Sequence, residues 1–373
     1  MSKYTALCLS DPHPDHVNDG SSERTLSAAR FAGRYRLVDF MLSNMVNSGI
    51  TDIGIILNSH YQSLIAHIGM GKEWDLARKA GGITFFPPYM TDARDSEYSA
   101  IDGPLQRAAR ALRGTKSEYV ILVNGSAVYN MDYRPAIEAH KENGADVTAV
   151  YAKKEVNKDA GEQTVVFDIT EDNRVRSIKT ASRLSGTANV SLGAYIMPKH
   201  IFLQLVTGVK YCGMLRFSCE RLAPAVSRLK VMGYEFTGYS AQISSVETDF
   251  RHNMEMLDSE KRAALFDYEG RRIFTSRRDS LPAKYGKAAR VENSLVADGC
   301  QIEGTVINSV ICRNVRIGPG AVVENCVLKD STVIQQNAKL DWMITDRGVI
   351  VSAGRNLIGA PTYPVFIESE RII

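Results

Sequence analysis

The apolar positions of the first two thirds of the chain alternate between short continuous runs and stretches with helical spacing. Residues 3–10, 53–57 and 119–125 contain continuous apolar runs, which are typical of parallel strands buried on both faces. Between the first two runs, the apolar residues of 37–46 recur at the spacing of one helix face, and Gly49 follows where that helix should end. This alternation predicts an α/β domain with a doubly wound, Rossmann-like sheet.

From residue 291 the apolar period changes to six residues. Val296 and Ile302 lie six apart, as do Ile311, Ile317 and Val323, and a second six-residue register holds Val315, Ala321, Val327 and Val333. Such a period predicts a C-terminal hexapeptide-repeat parallel β-helix of the left-handed kind, in which aliphatic residues of successive turns stack. Such coils can carry acyltransferase chemistry, but no histidine follows His252. We therefore expect a structural or assembly role for this part.

These periods divide the chain into an α/β domain over residues 1–260, a linker over 261–290 and a β-helix over 291–373. A single amphipathic helix is expected over 251–266. The linker is rich in Lys and Arg and contains Pro282 and Gly286. Its charge indicates either a solvated boundary or an anion site for a phosphorylated effector.

The composition limits which binding partners and which cellular compartment are expected. The 373 residues include 45 basic and 42 acidic side chains, a net charge of +3 without a long block of one sign, so no nucleic-acid or membrane surface is predicted. The six cysteines show no CxxC spacing, which favours reduced thiols. Nowhere do eighteen apolar residues run together, and the N-terminus does not resemble a leader peptide. We expect a cytoplasmic protein.

Four motifs near the N-terminus are specific enough to suggest a family. They are Gly33-Arg-Tyr-Arg-Leu-Val-Asp-Phe40, Ser43-Asn44, Asn47-Ser-Gly49 and Gly69-Met-Gly-Lys-Glu-Trp-Asp-Leu76. They resemble the ADP-glucose pyrophosphorylase (glucose-1-phosphate adenylyltransferase) family, closest to its bacterial GlgD-type second subunit, and the resemblance spans essentially the whole chain. It implies that the α/β domain is nucleotidyltransferase-like.

The resemblance also shows where this chain departs from active members of the family. Their first loop reads Gly-Gly-x-Gly-Thr-Arg-Leu and cradles the nucleotide phosphates. An ungapped alignment places Asp11, Pro12, Pro14 and His16 on its first, second and third glycines and its arginine. Proline lacks a backbone N–H and aspartate repels a triphosphate, so this degenerate nucleotide loop is not expected to hold ATP productively.

The metal-binding positions of the family are changed as well. Active members carry two aspartates that hold magnesium, whereas Ser126 and Gln242 stand at those positions here. Thr180 and Ala181 likewise replace a glutamate and lysine that hold the sugar phosphate. A neutral serine or glutamine is a poor substitute for a hard anionic ligand. We expect no catalytic residues and no bound metal or cofactor in this chain, with Mg²⁺ bound by a catalytic partner.

Three arginines keep the family pattern, and Arg24, Arg34 and Arg36 are candidates for a substrate or effector phosphate. The alternative is that Arg34 and Arg36 only form a surface ion pair with Asp39. The resemblance implies a regulatory-type, catalytically impaired subunit that supports ADP-glucose synthesis from ATP and glucose 1-phosphate for glycogen, in a heterotetramer with a catalytic subunit. The alternatives are an autonomous sugar-phosphate nucleotidyltransferase with an altered site and a non-enzymatic sugar-phosphate sensor.

Overall fold

A computed structural model describes residues 3–10, 24–58, 60–79, 81–88, 103–156, 164–181, 186–209, 213–277 and 279–373. The degenerate loop with Asp11, Pro12, Pro14 and His16 lies outside these ranges. The described chain forms an α/β domain followed by a parallel β-helix, which confirms the predicted fold class.

The α/β domain is built on a nine-stranded sheet whose centre is parallel. Strand β1 pairs in parallel with β4 on one side and β6 on the other, and β4 pairs in parallel with β5. The order is β10-β9-β11-β6-β1-β4-β5, with β8 and β12 joined beside β11. The strands of this domain are β1 Tyr4–Leu9, β2 Arg30–Phe31, β3 Tyr35–Arg36, β4 Asp52–Ile56, β5 Gly82–Phe86, β6 Tyr119–Asn124, β7 Ala127–Tyr129, β8 Val147–Val156, β9 Thr164–Ile169, β10 Val175–Ala181, β11 Gly186–Pro198, β12 Val231–Glu235 and β13 Ser240–Gln242.

Helices cover both faces of this sheet because its strands are apolar on both sides. The predicted helix after Arg36 is α1, and its apolar stripe packs on the face that also receives α2. Helices α3 and α5 lie on the opposite face. The helices are α1 Leu37–Asn47, α2 Gln62–Ile68, α3 Pro104–Arg113, α4 Arg134–Glu142, α5 Lys199–Val206, α6 Val246–Glu255 and α7 Ser259–Phe266, with a short helical segment at Met214–Arg216 that continues as a π-helix over Phe217–Leu222.

The single helix expected over 251–266 is wrong, because two helices occupy this region. Helix α6 begins earlier, where Ser245 accepts a hydrogen bond from the backbone N–H of Thr248. Helix α7 begins after Asp258, whose carboxylate accepts from the backbone of Glu260 and Lys261. An aspartate that caps a new N-terminus interrupts a continuous apolar period, which periodicity alone cannot show.

The C-terminal part contains three parallel sheets of five strands each, which is the arrangement of a β-helix. Buried aliphatic residues of successive coils stack, as in the pairing of Val306 with Val323 and of Val323 with Leu340. The first paired strand, β14, precedes residue 291 and pairs with β17. The strands are β14 Lys284–Tyr285, β15 Arg290–Glu292, β16 Leu295–Val296, β17 Gln301–Ile302, β18 Thr305–Ile307, β19 Val310–Ile311, β20 Arg316–Ile317, β21 Val322–Glu324, β22 Val327–Leu328, β23 Val333–Ile334, β24 Lys339–Asp341, β25 Met343–Thr345, β26 Ile350–Val351, β27 Asn356–Ile358 and β28 Val365–Ile367.

The two domains share an apolar contact. Phe250 of α6 packs with Val310, Val327 and Ile344, which are the outward-facing residues of successive coils of one sheet. The connecting segment is also anchored, since Ile273 is buried in a cluster with residues of α1. Within the described ranges, no helix combines the length and apolar character needed to cross a bilayer.

Candidate functional site

The two positions expected to hold metal in active relatives lie side by side. Ser126 lies two residues past β6, at the carboxyl end of a central strand, where open α/β sheets meet their ligands. Strand β13 pairs with β7 so that Gln242 lies opposite Ala127. The fold therefore brings Gln242 next to Ser126, although 116 positions separate them in the sequence.

Both side chains are occupied with contacts inside the protein. The Ser126 hydroxyl donates to Asn124 Oδ1 at 2.7 Å, and the Ser126 backbone N–H donates to the same oxygen at 3.0 Å. The Gln242 amide donates to the backbone carbonyl of Ser191 at 3.1 Å. These neutral groups do not fit Mg²⁺, which binds through carboxylates and phosphates. Among the described residues there is no group of three or more His, Cys, Asp or Glu side chains placed to hold a metal ion.

Thr180, at the position where a sugar-phosphate glutamate is expected in active relatives, is also neutral. Thr180 lies near the end of β10, and its hydroxyl is 3.1 Å from the sulfur of Cys219. This contact connects the antiparallel part of the sheet to the π-helix, and Thr180 supplies no charge for a phosphate.

Arg36 and Arg34 have different environments although they are two residues apart. Arg36 is buried at the start of α1, and its guanidinium donates to the carbonyl and hydroxyl oxygens of Ser63 at 2.6 and 3.0 Å. Burial, and next the positive charge of Arg30, lower the pKa of Arg36 to about 9. Arg34 is exposed, with its guanidinium carbon 5.6 Å from the centre of the Tyr35 ring. The structure therefore does not place them in one site.

Asp39 contributes to folding rather than to a surface ion pair. Its carboxylate is fully buried, accepts from the backbone N–H of Arg36 at 2.8 Å and contacts His67 Nε2 at 2.5 Å. Burial lowers the pKa of His67, against the opposing effect of Asp39. The sequence left open a surface ion pair between these arginines and Asp39. In the structure Asp39 is buried instead, and its carboxylate caps the N-terminus of α1.

Arg24 borders a small cavity between the two domains. The cavity has a volume of about 80 Å³. Basic side chains from both domains line it, and acidic side chains lie among them. The charged lining residues are Arg24, Arg30, Asp249, Lys329, Asp330, Asp346, Arg347 and Glu370. Arg24 and Arg30 are also close enough to Arg36 for their charges to lower its pKa.

In the lining of this cavity, largely buried ion pairs join the domains. The Lys329 ammonium donates to the backbone carbonyl of Arg30 at 2.8 Å and lies 3.0 Å from the carboxylate of Asp249. The neighbouring Asp330 pairs with the guanidinium of Arg30. We call Arg30, Asp249, Lys329 and Asp330 the interdomain charge cluster. Sequence reasoning missed it, because two charges at a coil corner usually indicate solvent and their partners come from distant segments.

Comparison with known proteins agrees with this architecture. The family described as Nucleotidyl transferase matches residues 21–220, and the family described as GlmU-like, C-terminal hexapeptide, matches residues 281–361. A nucleotidyltransferase-type domain joined to a hexapeptide β-helix is thus the class that the fold and site define.

The relatives narrow this class. The glycogen biosynthesis protein GlgD of Bacillus subtilis (strain 168) is 32% identical over 94% of this chain and 92% of that protein. The glucose-1-phosphate adenylyltransferase of Clostridium botulinum (strain Eklund 17B / Type B) is 31% identical over 82% of this chain and 78% of its own length. That of Thermosipho africanus (strain TCF52B) is 29% identical over 87% and 78%. The chain belongs to the glucose-1-phosphate adenylyltransferase family, as its motifs predict.

Proposed function

We propose that this chain is a regulatory-type, catalytically impaired subunit of glucose-1-phosphate adenylyltransferase, which supports ADP-glucose synthesis for glycogen. The observation that carries the proposal is the pair of neutral side chains, Ser126 and Gln242, at the carboxyl edge of the sheet. Nucleotidyl transfer to a sugar phosphate develops negative charge on the transferred phosphoryl group, and cations must neutralise it. With neither aspartate in place, the described residues provide no carboxylate cluster that could hold that cation.

We also infer that Mg²⁺ and ATP are handled by a catalytic partner of the same family in a cytoplasmic heterotetramer. Support comes from the sequence of the degenerate loop, where Pro12 and Pro14 remove backbone donors. Further support comes from the similarity to a relative named GlgD over nearly its whole length. The autonomous enzyme is disfavoured because the loop, both metal positions and Thr180 would all need functional substitutes.

The regulatory part of the proposal concerns anion binding. Arg24 is the favoured phosphate contact of the three sequence candidates, because it borders the interdomain cavity together with Arg347 and Lys329. A charge-assisted contact to phosphate contributes about 1.5–3 kcal/mol. The guanidinium of Arg36 is hydrogen-bonded to Ser63, and Arg34 is exposed and is not among the residues that line the cavity. In the alternative function, a non-enzymatic sugar-phosphate sensor, the same cavity would bind the ligand without an enzyme partner.

The test compares three preparations in the same assay of ADP-glucose formation from ATP and glucose 1-phosphate. They are the chain alone, a catalytic relative from the same source alone, and the two together. We expect the chain alone to turn over far more slowly than about 10 per second, a typical enzyme rate. We expect the mixture to exceed the catalytic relative in kcat or in affinity for substrate.

A matched control introduces aspartates at positions 126 and 242. The variant S126D/Q242D of this chain should remain inactive alone, because the degenerate loop is unchanged. A wild-type chain that turns over at the usual rate would establish the autonomous enzyme. If the mixture showed the kinetics of the catalytic relative alone, the regulatory-subunit proposal would be excluded and the non-enzymatic sensor would remain.

A further inference from the structure

One corner of the β-helix repeats a left-handed backbone conformation in four successive coils. The residues that directly follow β15, β18, β21 and β24 have φ angles of 40°, 46°, 48° and 52°. In the first three coils this residue is Asn293, Asn308 and Asn325, and asparagine tolerates the conformation because its short amide can bond locally. In the fourth coil it is Trp342, and a bulky side chain is strained there. Such strain persists only where the surroundings compensate for it.

The side chain of Trp342 reaches the other domain. The centre of its ring lies 6.0 Å from that of Phe250 on α6, and the two ring planes meet at 46°. Both rings pack in the apolar cluster that joins α6 to the outward-facing residues of the coils. An asparagine at this corner lacks the ring that makes the contact. The strain at Trp342 is therefore offset by packing between the domains.

The same apolar cluster forms one wall of the interdomain cavity. Val246, Ile344 and Phe366 belong to the cluster and also line the cavity. Val246 lies one helical turn before Phe250 on α6, and Ile344 lies two residues after Trp342. The wall residues and the two rings are thus carried by the same elements. A change in the distance between the rings therefore changes the width of the cavity.

The cavity is too small for a sugar phosphate while these rings are in contact. Its volume of about 80 Å³ has room for about five groups of the size of water, at roughly 10–15 Å³ each, which suffices for a phosphate. Sites for small organic ligands usually enclose about 300–1,000 Å³. A phosphate that carries a sugar can enter only if the walls separate. It then offers Arg30 and Lys329 a new anionic partner, whereas nothing replaces the contact between the rings.

We propose that Trp342 and Phe250 form a latch that keeps the interdomain cavity closed, and that a sugar phosphate binds there after this contact has opened. The inference rests on the anion site proposed above and adds how access to that site is controlled. The strained backbone keeps the latch weak, because it opposes part of the packing energy of the two rings. A ligand that binds the open form can then shift the equilibrium between closed and open cavities.

Binding to the full chain alone, measured by titration calorimetry, tests the latch with two probes of different size. The probes are inorganic phosphate and glucose 1-phosphate. Trp342→Asn and Phe250→Ala each remove one ring. Each should tighten glucose 1-phosphate binding at least about tenfold, because an open minor state is usually populated at about 0.1–10%. Phosphate binding should stay within about twofold, since phosphate fits the closed cavity.

Two controls assign the gain in affinity to the cavity. Tyr285→Asn removes an exposed aromatic side chain from the first coil and should change neither affinity. Arg24→Ala, added to Trp342→Asn, should reverse the gain, because Arg24 lines the cavity. Unchanged or weaker glucose 1-phosphate binding in both ring variants would overturn the latch. Equal gains for the two probes would also overturn it, because cavity width would then not control access.

The strain at Trp342 has its own test in thermal unfolding. Trp342→Asn and Trp342→Ala remove the same ring, but only asparagine tolerates the left-handed conformation. We expect the asparagine variant to melt at the higher temperature. Equal melting temperatures would show that the backbone at this corner does not weaken the latch.

Tryptophan fluorescence follows the latch in the unaltered chain. The sequence contains two tryptophans and Trp74 is only 2% exposed, so the fraction quenched by acrylamide reports Trp342. Saturating glucose 1-phosphate should raise that fraction, because opening exposes the Trp342 ring, and inorganic phosphate should not. An unchanged fraction at saturation would exclude opening. These measurements use no enzyme partner, so their outcome is independent of the assay of ADP-glucose formation.

Discussion

At the scale of single residues, Arg34 and Arg36 show how burial divides two similar side chains. Arg36→Ala removes two hydrogen bonds to Ser63 from a buried site and should lower the free energy of unfolding by about 1.5–3 kcal/mol. Arg34→Ala changes an exposed side chain and should remain within about 0.5 kcal/mol of the wild type. Chemical denaturation of both variants measures the difference.

Arg34→Ala and a third variant, Arg24→Ala, address regulation. With the assembled enzyme, saturation curves for glucose 1-phosphate and for a phosphorylated effector should be unchanged in Arg34→Ala and altered in Arg24→Ala, which retains the contacts of Arg36. Equal denaturation midpoints for Arg34→Ala and Arg36→Ala would contradict the structural role of Arg36. Unaltered saturation in Arg24→Ala would contradict the proposed effector contact.

At the scale of elements, successive coils of the β-helix approach one another closely at Gly304. A Cβ there would meet the backbone carbonyl oxygens of Ala321 and Gly318, and the Ala321 carbonyl is fixed by its bond from the Thr305 N–H at 2.8 Å. Gly304→Ala should therefore destabilise the β-helix by about 1–3 kcal/mol through overpacking. The measurement is the thermal unfolding of the variant.

Gly286→Ala is the matched control in the first coil. A Cβ there would be 3.1 Å from Cγ and 3.3 Å from Cα of Glu303, a looser contact than the 2.4 Å to a carbonyl oxygen at Gly304. The cost should be clearly smaller than that of Gly304→Ala. Equal melting temperatures for Gly304→Ala and Gly286→Ala would show that the close approach of successive coils at Gly304 does not govern the stability of the β-helix.

At the scale of the whole molecule, the interdomain charge cluster holds the two domains in one arrangement. Lys329→Met would remove the ammonium from the partly buried carboxylate of Asp249, which keeps its hydrogen bond from Asn253, and from the carbonyl of Arg30, and it should cost about 1.5–3 kcal/mol. Because the lost contacts lie between the domains, unfolding should separate into two transitions in calorimetry. Limited proteolysis should also cut the segment around residues 267–283 sooner.

The double variant Lys329→Met with Asp249→Leu is the control for an uncompensated charge. It should recover much of the stability, since an apolar pair can replace a buried ion pair at little net cost. Arg290→Ala, which breaks an exposed ion pair with Glu292, should have almost no effect. A single unchanged transition in Lys329→Met would show that the apolar contact around Phe250 suffices to join the domains.

The sequence by itself determined the parts that depend on local periodicity. The alternating runs indicate the parallel sheet and α1, and the six-residue period indicates the coils, because burial in these elements follows spacing along the chain. The motifs indicate the family, and the departures from them predict that Ser126 and Gln242 stand at its metal-binding positions. The helix over 251–266 failed because a capping aspartate acts locally against a continuous apolar pattern.

Only the tertiary structure decided what distant segments do to one another. Arg34 and Arg36 read alike in the sequence, and their separation into exposed and buried roles follows from the position of Ser63 on another element. Lys329 and Asp330 look like a solvated coil corner until the hairpin of Arg30 and helix α6 are packed against them. Desolvation and ion pairing depend on which surfaces pack together in the folded protein. The spacing of apolar residues along the sequence does not predict those contacts.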